Sequence, residues 1–351
     1  TGDCSECATG GCSATFIEQH DGFDLAYVEF TERGNVFDRR RMKRVLDHVG
    51  DRARYDRDNS VRGITTIVFV HGWKHNASAD DENVESFRRM LHKTAELTKD
   101  GPRKLIGIYV GWRGRSIDWD VLDNISYWDR KAVAQQVAEG GVTEVLLRLE
   151  REVIDDERPN RNLYLVTAHS FGGAVALSAL NEILLERVVK ALASSSDDDC
   201  VETRPFGHGV VLLNPAIEAN EAFQLKELVA ETCFVDTQDR LMHVISSDAD
   251  EATNVSFGMG QRLGVNLTWK QTELTREFDD KKVRLHESAL DTTTVGDFMP
   301  FQTGQLNAGD TGWVYSSCVG EGTDDACIGA DGVPHIPAKR NEPLAFIQTD
   351  E

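Results

Sequence analysis

The chain has 351 residues, which is enough for one large α/β domain or two ordinary ones with a substantial buried core. Its formal net charge of −21 argues against nucleic acid or an anionic membrane surface as an electrostatic partner. No apolar run approaches the roughly 20 residues that cross a bilayer, so no transmembrane segment is predicted. These bulk properties leave the oligomeric state open.

The seven cysteines are an odd number and fall into three groups: Cys4, Cys7 and Cys12, then Cys200 and Cys233, then Cys318 and Cys327. The last two flank Gly- and Asp-rich residues and are predicted to form a loop-closing disulfide, which implies an oxidising compartment. An extracytoplasmic or cell-envelope location is therefore expected, with a cytoplasmic one left open. The N-terminal cysteines lack a convincing fourth ligand, so no metal site is predicted there.

Residues 1–20 are rich in Gly, Ser, Thr and Cys and predict an irregular segment, followed by a single α/β domain over residues 21–351. Strands are predicted, in chain order, at FDLAYVEF, ITTIVFV, KLIGIYVGW and LYLVT. Two further strands, each ending in a polar loop, are predicted in HGVVLLNPAIEA and RLMHVISSDADEA. Helical spacing of apolar residues predicts helices at NVESFRRMLHKTAEL and in the segment after Ser170. DRRRMKRVLDHV is predicted as a basic, solvent-facing helix, and AVAQQVAEGGVTEVLLRLE as a further helix. Strands that are nearly all apolar and alternate with helices indicate a mostly parallel sheet covered on both faces.

An insertion at residues 111–131, GWRGRSIDWDVLDNISYWDRK, separates the third strand from the third helix. Its three tryptophans, one tyrosine and many charges are typical of a cap or of the wall of an acyl pocket. Ordinary packing of the insertion on the sheet explains the same composition, and both interpretations remain open.

The stretch LYLVTAHSFGGAVALSAL, residues 163–180, runs from a short apolar strand directly into a helix. Small residues lie two positions before and two after Ser170, as in the nucleophile elbow G-x-S-x-G, where larger side chains would collide with the neighbouring backbone. The first glycine of that pattern is Ala168 here, a mild departure. The alternative is a helix that merely begins with a serine N-cap.

Polar chemistry also follows the second apolar strand, in VFVHGWKHNA. A turn at His71-Gly72 would direct the backbone N–H of Trp73 toward a developing oxyanion, together with the N–H of Phe171 after the serine. His71 and His75 have i, i+4 spacing, but the segment lacks the Glu of H-E-x-x-H, so no zinc site is predicted. His169 is interpreted as a packing residue of the elbow.

These motifs, together with YVGWRGRS, WDRK and HSFGGAVAL, resemble a bacterial, esterase- or lipase-like subgroup of the α/β-hydrolase superfamily over roughly residues 61–345. The resemblance implies the α/β-hydrolase fold, a Ser-Asp-His catalytic triad and no metal or organic cofactor. It places the acid before a small residue and Thr, as in DEAT, which favours Asp250 over Asp248.

Only two histidines follow the predicted acid, so the family's order of Ser, acid and His leaves His286 and His335. His335 lies in GVPHIPAKRNEPLAFI, which is interpreted as a polar loop before a short apolar helix, as the family's closing segment requires. His286 lies in KKVRLHESAL, where alternating charges indicate a solvated strand or turn. The predicted base is therefore His335.

The expected function is that of a serine carboxylesterase acting on short- to medium-chain esters, with a small-molecule ester as substrate. The alternatives are an amidase, thioesterase or peptidase on the same triad, because the sequence indicates the acyl-enzyme route better than the leaving group. A non-catalytic binding protein with a vestigial elbow is an alternative of a different class.

Overall fold

The structure is a computed structural model that describes residues 16–54, 63–72, 75–78, 80–101, 103–112, 137–155, 157, 161–196, 199–247, 272–278, 281–309, 312–318, 336 and 341–349. The described residues divide into two compact units between Ala179 and Leu180. The single domain expected over residues 21–351 stays a prediction.

The first unit has five strands, which lie in the order β1-β2-β4-β3-β5. Four of them run parallel, and only the short β1 is antiparallel to its neighbour. The predicted strands are confirmed, and Ile17–Gln19 adds a strand where an irregular segment was expected. The bounds are β1 Ile17–Gln19, β2 Phe23–Phe30, β3 Gly63–Val70, β4 Arg103–Trp112 and β5 Leu163–His169.

Helices α1 (Arg39–Arg54), α2 (Glu82–Leu97) and α3 (Thr143–Val153) lie in the first unit. A turn of π-helix, Ala138–Val142, precedes α3, so the predicted third helix is confirmed from residue 138 onward. The basic helix α1 is more than a solvent-facing element, because Met42, Val45, Leu46 and Val49 are buried. Its ends form ion pairs with α3 through Arg39 with Glu144 and Arg54 with Glu152.

The helix after Ser170, α4 (Phe171–Ala193), begins in the first unit and ends in the second. The second unit continues with β6 (Val210–Leu213), α5 (Ala219–Glu231) and β7 (Met242–Ser247). A separate hairpin, β8 (Glu273–Phe278) with β9 (Lys281–His286), leads into the short α6 (Glu287–Thr292). Strand β9 confirms the solvated strand expected around His286, whose side chain is exposed.

Three further strands complete the second unit, in the order β6-β7-β12-β10-β11. A 3-10 turn, Met299–Phe301, precedes β10 (Gly304–Gly309), which pairs with β11 (Gly312–Ser317) in an antiparallel hairpin and with β12 (Leu344–Thr349) in parallel. The prediction of an apolar helix after His335 is wrong, because Leu344–Thr349 is a buried strand parallel to β7. Both faces of this strand are buried, so LAFIQT lacks the alternation of apolar and polar residues that marks a half-exposed strand.

A disulfide in the second unit joins Cys200 and Cys233, which no sequence pattern indicated. Cys318 is also disulfide-bonded, while its predicted partner Cys327 lies outside the described residues, as do Cys4, Cys7 and Cys12. Among the helices that the structure describes, none combines the length and apolar character needed to cross a membrane. Most of the insertion at 111–131 also lies outside the described residues, so its two interpretations stay predictions.

Candidate active site

Ser170 lies at the junction where β5 ends and α4 begins, with a backbone φ of 55°. An ordinary N-cap residue has an extended backbone, whereas this φ falls in the left-handed region that non-glycine residues rarely adopt. The Ser170 carbonyl still accepts the first helical hydrogen bond, from the N–H of Ala174 at 3.3 Å. The serine therefore occupies a strained strand-to-helix turn, which is the backbone geometry of a nucleophile elbow.

Gly172 allows this turn to pack directly against the end of β3. A Cβ at this position would collide with the carbonyl oxygens of Val70 and His71, so no residue with a side chain fits without moving the backbone. Ala168, at the first small position of the pattern, is fully buried and lies opposite Val70 in the parallel register. Close backbone approach thus explains the need for glycine at position 172, and Ala168 occupies a fully buried position beside β3.

The turn at His71-Gly72 lies against Ser170. A Cβ on Gly72 would come within 3.1 Å of both the His169 carbonyl oxygen and the Ser170 Cβ. Because β3, β4 and β5 run parallel in matched register, their carboxyl ends bring His71, Trp112 and His169 to one edge of the sheet. Reactive groups of open α/β sheets are found at this edge.

The imidazole of His71 holds this turn in place through ring stacking and hydrogen bonds. It is fully buried and stacks between the rings of Tyr109 and Trp112, with centroid distances of 5.6 and 5.5 Å. Its Nε2 lies 2.9 Å from the backbone N–H of Trp112, and its Nδ1 lies 2.6 Å from the Gly72 carbonyl oxygen. The indole N–H of Trp112 in turn donates to the His71 carbonyl at 2.8 Å.

These contacts determine the protonation state of His71. Nε2 accepts a hydrogen bond from a backbone N–H and must be unprotonated, so the ring proton is on Nδ1 and is donated to the Gly72 carbonyl. Complete burial, with a smaller contribution from the nearby His75, lowers the pKa of the His71 imidazole to about 4. His71 is therefore neutral at physiological pH and serves as a hydrogen-bonding support of the turn.

Asp81 closes the loop that follows the turn and begins α2 as its N-cap. One carboxylate oxygen accepts from the Asn83 N–H at 2.8 Å and contacts His75 Nδ1 at 3.0 Å. The other accepts from the Asn76 N–H at 3.0 Å. The contact of Asp81 with His75 was not predicted, because sequence spacing does not show which way a loop residue turns.

The residues that the structure describes contain no group of three or more His, Cys, Asp or Glu side chains arranged to hold a metal ion. The rings of His71 and His75 meet edge-on at 6.4 Å between centroids, and each has hydrogen-bonding partners of its own. Their i, i+4 spacing therefore reflects packing of the turn and its loop.

Comparison with known proteins adds a family to this geometry. The family described as "Alpha/beta hydrolase of unknown function (DUF900)" matches residues 58–306, well over half of the chain. The chain belongs to this α/β-hydrolase family. The superfamily and the fold class expected from the sequence are thereby confirmed, with a mostly parallel sheet flanked by helices.

Two solved structures similar to this α/β-hydrolase are of phospholipase PlaB from Legionella pneumophila. One is a complex with thio-NAD, with 12% identity over 72% of this chain and 48% of that chain, and a TM-score of 0.28. The other has 12% identity over 72% of this chain and 50% of that chain, with a TM-score of 0.29. The hydrolase thus spans about half the length of these solved chains. No curated protein matches it.

Three of the predicted site residues of this α/β-hydrolase, Trp73, Asp250 and His335, lie outside the described residues, as does the alternative acid Asp248. Ser170 and Phe171 are described, and Phe171 is buried at the start of α4. The structure therefore brings Ser170 to the His71-Gly72 turn, while the predicted acid and base stay predictions.

The described neighbours of the predicted acid and base are well anchored within the second unit. At the end of β7, the Ser247 N–H donates to Asn214 Oδ1 and the Asn214 N–H donates to the Ile245 carbonyl, both at 2.8 Å. Asn214 has a φ of 41°, a left-handed conformation that asparagine tolerates. Ile336, next to His335, is buried, and its N–H donates to the Pro300 carbonyl at 2.9 Å.

Sequence reasoning missed two supports of this site, the His71 imidazole and the Asn214 side chain. The sequence predicted a backbone turn at His71-Gly72 but no role for the imidazole, because Trp112, whose N–H donates to the ring, lies 41 residues away. The Asn214-Pro215 pair is a turn signal that could have identified the left-handed residue. Its contact with Ser247 depends on strand pairing and has no local signal.

Proposed function

We propose that this α/β-hydrolase is a serine carboxylesterase that cleaves short- to medium-chain esters through an acyl-enzyme. The observation that carries the proposal is the backbone of Ser170, held at a φ of 55° between β5 and α4 with Gly72 and Gly172 packed against it. A hydroxyl displayed on such a turn at the carboxyl edge of a parallel sheet is suited to nucleophilic attack.

In the proposed mechanism Ser170 Oγ attacks the ester carbonyl carbon while His335 accepts its proton, and Asp250 keeps the imidazole in the required tautomer. The N–H groups of Trp73 and Phe171 stabilise the oxyanion of the tetrahedral intermediate. Its collapse transfers the proton from His335 to the leaving alcohol. Water then attacks the acyl-enzyme with His335 as base, which releases the acid and restores Ser170.

The His71 imidazole supports the oxyanion part of this proposal. A peptide group is planar, so fixing the Gly72 carbonyl also fixes the plane of the peptide unit to which the next N–H belongs. Preorganised donors of this kind stabilise a transition state without having to reorient during the reaction. We further propose that the enzyme works in an oxidising compartment, which the Cys200–Cys233 bridge and the disulfide-bonded Cys318 support.

The decisive experiment is labelling with a fluorophosphonate probe together with hydrolysis of p-nitrophenyl esters of graded chain length. Ser170 is expected to carry the label, and Ser170→Ala should lower kcat by about 10⁴-fold or more because the nucleophile is lost. The matched control is Ser178→Ala, which changes a partly buried serine later in the same helix and should keep both label and activity. If Ser170 is not labelled, the proposed serine esterase is wrong, and the alternative of a non-catalytic binding protein with a vestigial elbow is favoured.

The same assay distinguishes the base and the leaving group. His335→Ala should share the full loss, and Asp250→Asn should lose several decades, since triad members act as a unit. His286→Ala and Asp248→Asn should stay within about tenfold, because each removes only a local hydrogen bond. Faster turnover of amides or thioesters than of esters would assign the same triad to an amidase, peptidase or thioesterase.

A further inference from the structure

The hairpin β10–β11 exposes an unusual amount of apolar surface. Three consecutive residues of β11, Trp313, Val314 and Tyr315, are 54%, 55% and 44% exposed, although neighbouring residues in a strand point to opposite faces. Tyr315 packs its ring over Gly304 of the partner strand, where a Cβ would collide with it. Tyr315 therefore packs within the hairpin, while both faces of β11 are exposed to solvent.

One edge of β11 is occupied by β10, and the hydrogen bonds show which backbone groups face the other edge. The Cys318 N–H donates to the Thr303 carbonyl at 2.9 Å, one step beyond the register pair Gly304 with Ser317. Hydrogen-bonded pairs alternate in an antiparallel ladder, so even-numbered residues of β11 bond to β10. The N–H and C=O groups of Trp313 and Tyr315 therefore point outward, and no described strand pairs with that edge.

The outward groups are complementary to a second copy of themselves. If two β11 strands pair antiparallel about Val314, the backbone of Trp313 pairs with that of Tyr315 in the other copy, and the reverse, which forms four hydrogen bonds. The same register places Trp313 directly opposite Tyr315 on one face and the two Val314 side chains opposite each other on the other face. Aromatic and β-branched cross-strand pairs are among those that stabilise sheets.

The charge of the hairpin also suits a second copy. Charged residues make up 28% of the chain, yet Asp310 is the only one between residues 304 and 318. Pairing two β11 strands therefore places no like charges opposite each other, although each copy carries a formal net charge of −21. A cationic partner would find nothing acidic on this strand, and exposed edges without charges are the ones that pair with other chains.

We infer that β11 is a self-association edge, through which two copies of this chain form a dimer by antiparallel pairing centred on Val314. The joined sheets would run β12-β10-β11 in one copy and β11-β10-β12 in the other. The contact is of the small, transient class that buries less than about 1,200 Å2, so the dimer depends on protein concentration.

Cysteine cross-linking tests the register. Val314→Cys places two thiols on the two-fold axis with Cα atoms about 4.5 Å apart, within the range of a disulfide. Ser316→Cys is the matched control on the same face of the same strand, since its two copies lie about 14 Å apart. Oxidation with diamide should give a covalent dimer with a 314–314 linked peptide for the first variant, and only the background of the unmodified chain for the second.

Sedimentation of the full chain from roughly 5 to 500 μM tests the association itself. Dimer should increase between about 0.05 and 0.5 M salt, because salt screens the repulsion between two acidic copies. Val314→Lys, which puts two ammonium groups opposite each other, should weaken dimerisation at least about tenfold, and Ser316→Lys should leave it within about twofold.

Two results would overturn the inference. One is a chain that stays monomeric at the highest concentration and salt, and the other is equal cross-linking of Val314→Cys and Ser316→Cys. Binding of the monomer to phosphatidylcholine vesicles, lost in Trp313→Ala, would assign the hairpin to a lipid surface instead. If the cysteine variants fail to fold, the lysine pair decides.

Discussion

The turn at Ser170 and the N-terminal end of β12 are both fixed in the protein, but by opposite kinds of residue. At Ser170 two glycines, Gly72 and Gly172, let backbones approach so closely that no side chain fits between them. At β12, Glu342 forms a fully buried ion pair with Lys226 of α5, and the Arg240 guanidinium donates to the Glu342 carbonyl. The Ser170 turn thus depends on two residues that have no side chain, whereas the start of β12 depends on a buried ion pair.

This difference separates what a sequence reveals from what it does not. Small residues around a serine form a local pattern, because the constraint acts within a few positions and on the backbone itself. The partners Lys226 and Glu342 lie 116 residues apart, and each looks like an ordinary surface charge in its own segment. Only the fold shows that both are almost completely removed from water, at 0% and 2% side-chain exposure.

The largest expected effect comes from the buried ion pair. Glu342→Gln leaves the Lys226 ammonium without its counter-charge, and removing one partner of a buried pair costs about 3–5 kcal/mol of unfolding free energy. The measurement is urea unfolding of the variant against the unmodified chain. The control is the double variant Lys226→Met with Glu342→Leu, which should recover most of the loss. A cost below about 1 kcal/mol would show that this end of β12 does not depend on charge.

An effect of about 3 kcal/mol is expected from Gly172→Ala, because its added methyl group meets the carbonyl oxygens of Val70 and His71, which belong to backbone and cannot rotate away. Gly72→Ala is the graded comparison, since its nearest contacts are 3.1 Å away. It should cost less than about 1.5 kcal/mol in the same urea measurement. Equal losses would contradict the account of close backbone approach at Ser170.

The predictability of the fold follows the same division. Strands β2 to β7 and helices α1 to α4 were predicted, because short apolar segments typical of strands alternate along the chain with segments typical of helices. The hairpin β10–β11 was missed, since its residues are mostly small or polar, and β12 was taken for a helix because burial of both faces removes the alternation. At the site, the Ser170 turn was predictable from glycine positions, whereas the ring of His71 and the side chain of Asn214 act through contacts that strand pairing creates.

The smallest expected effect concerns the pH dependence of the Ser170 region. Burial lowers the pKa of His71 from 6.5 to about 4, so the unfolded chain binds a proton between these values that the folded chain does not. Stability from this group is therefore full above pH 6.5 and falls as the pH drops toward 4, by about 2 kcal/mol between pH 7 and pH 5.

His71→Gln should remove this difference of about 2 kcal/mol from the change in unfolding free energy between pH 7 and pH 5, measured by urea unfolding at both pH values. The surface comparison in the same measurement is His92→Gln, which changes an exposed histidine of α2. An unaltered slope in His71→Gln would mean that the folded protein protonates this imidazole as readily as the unfolded chain does, which a buried ring that accepts the Trp112 N–H could not do.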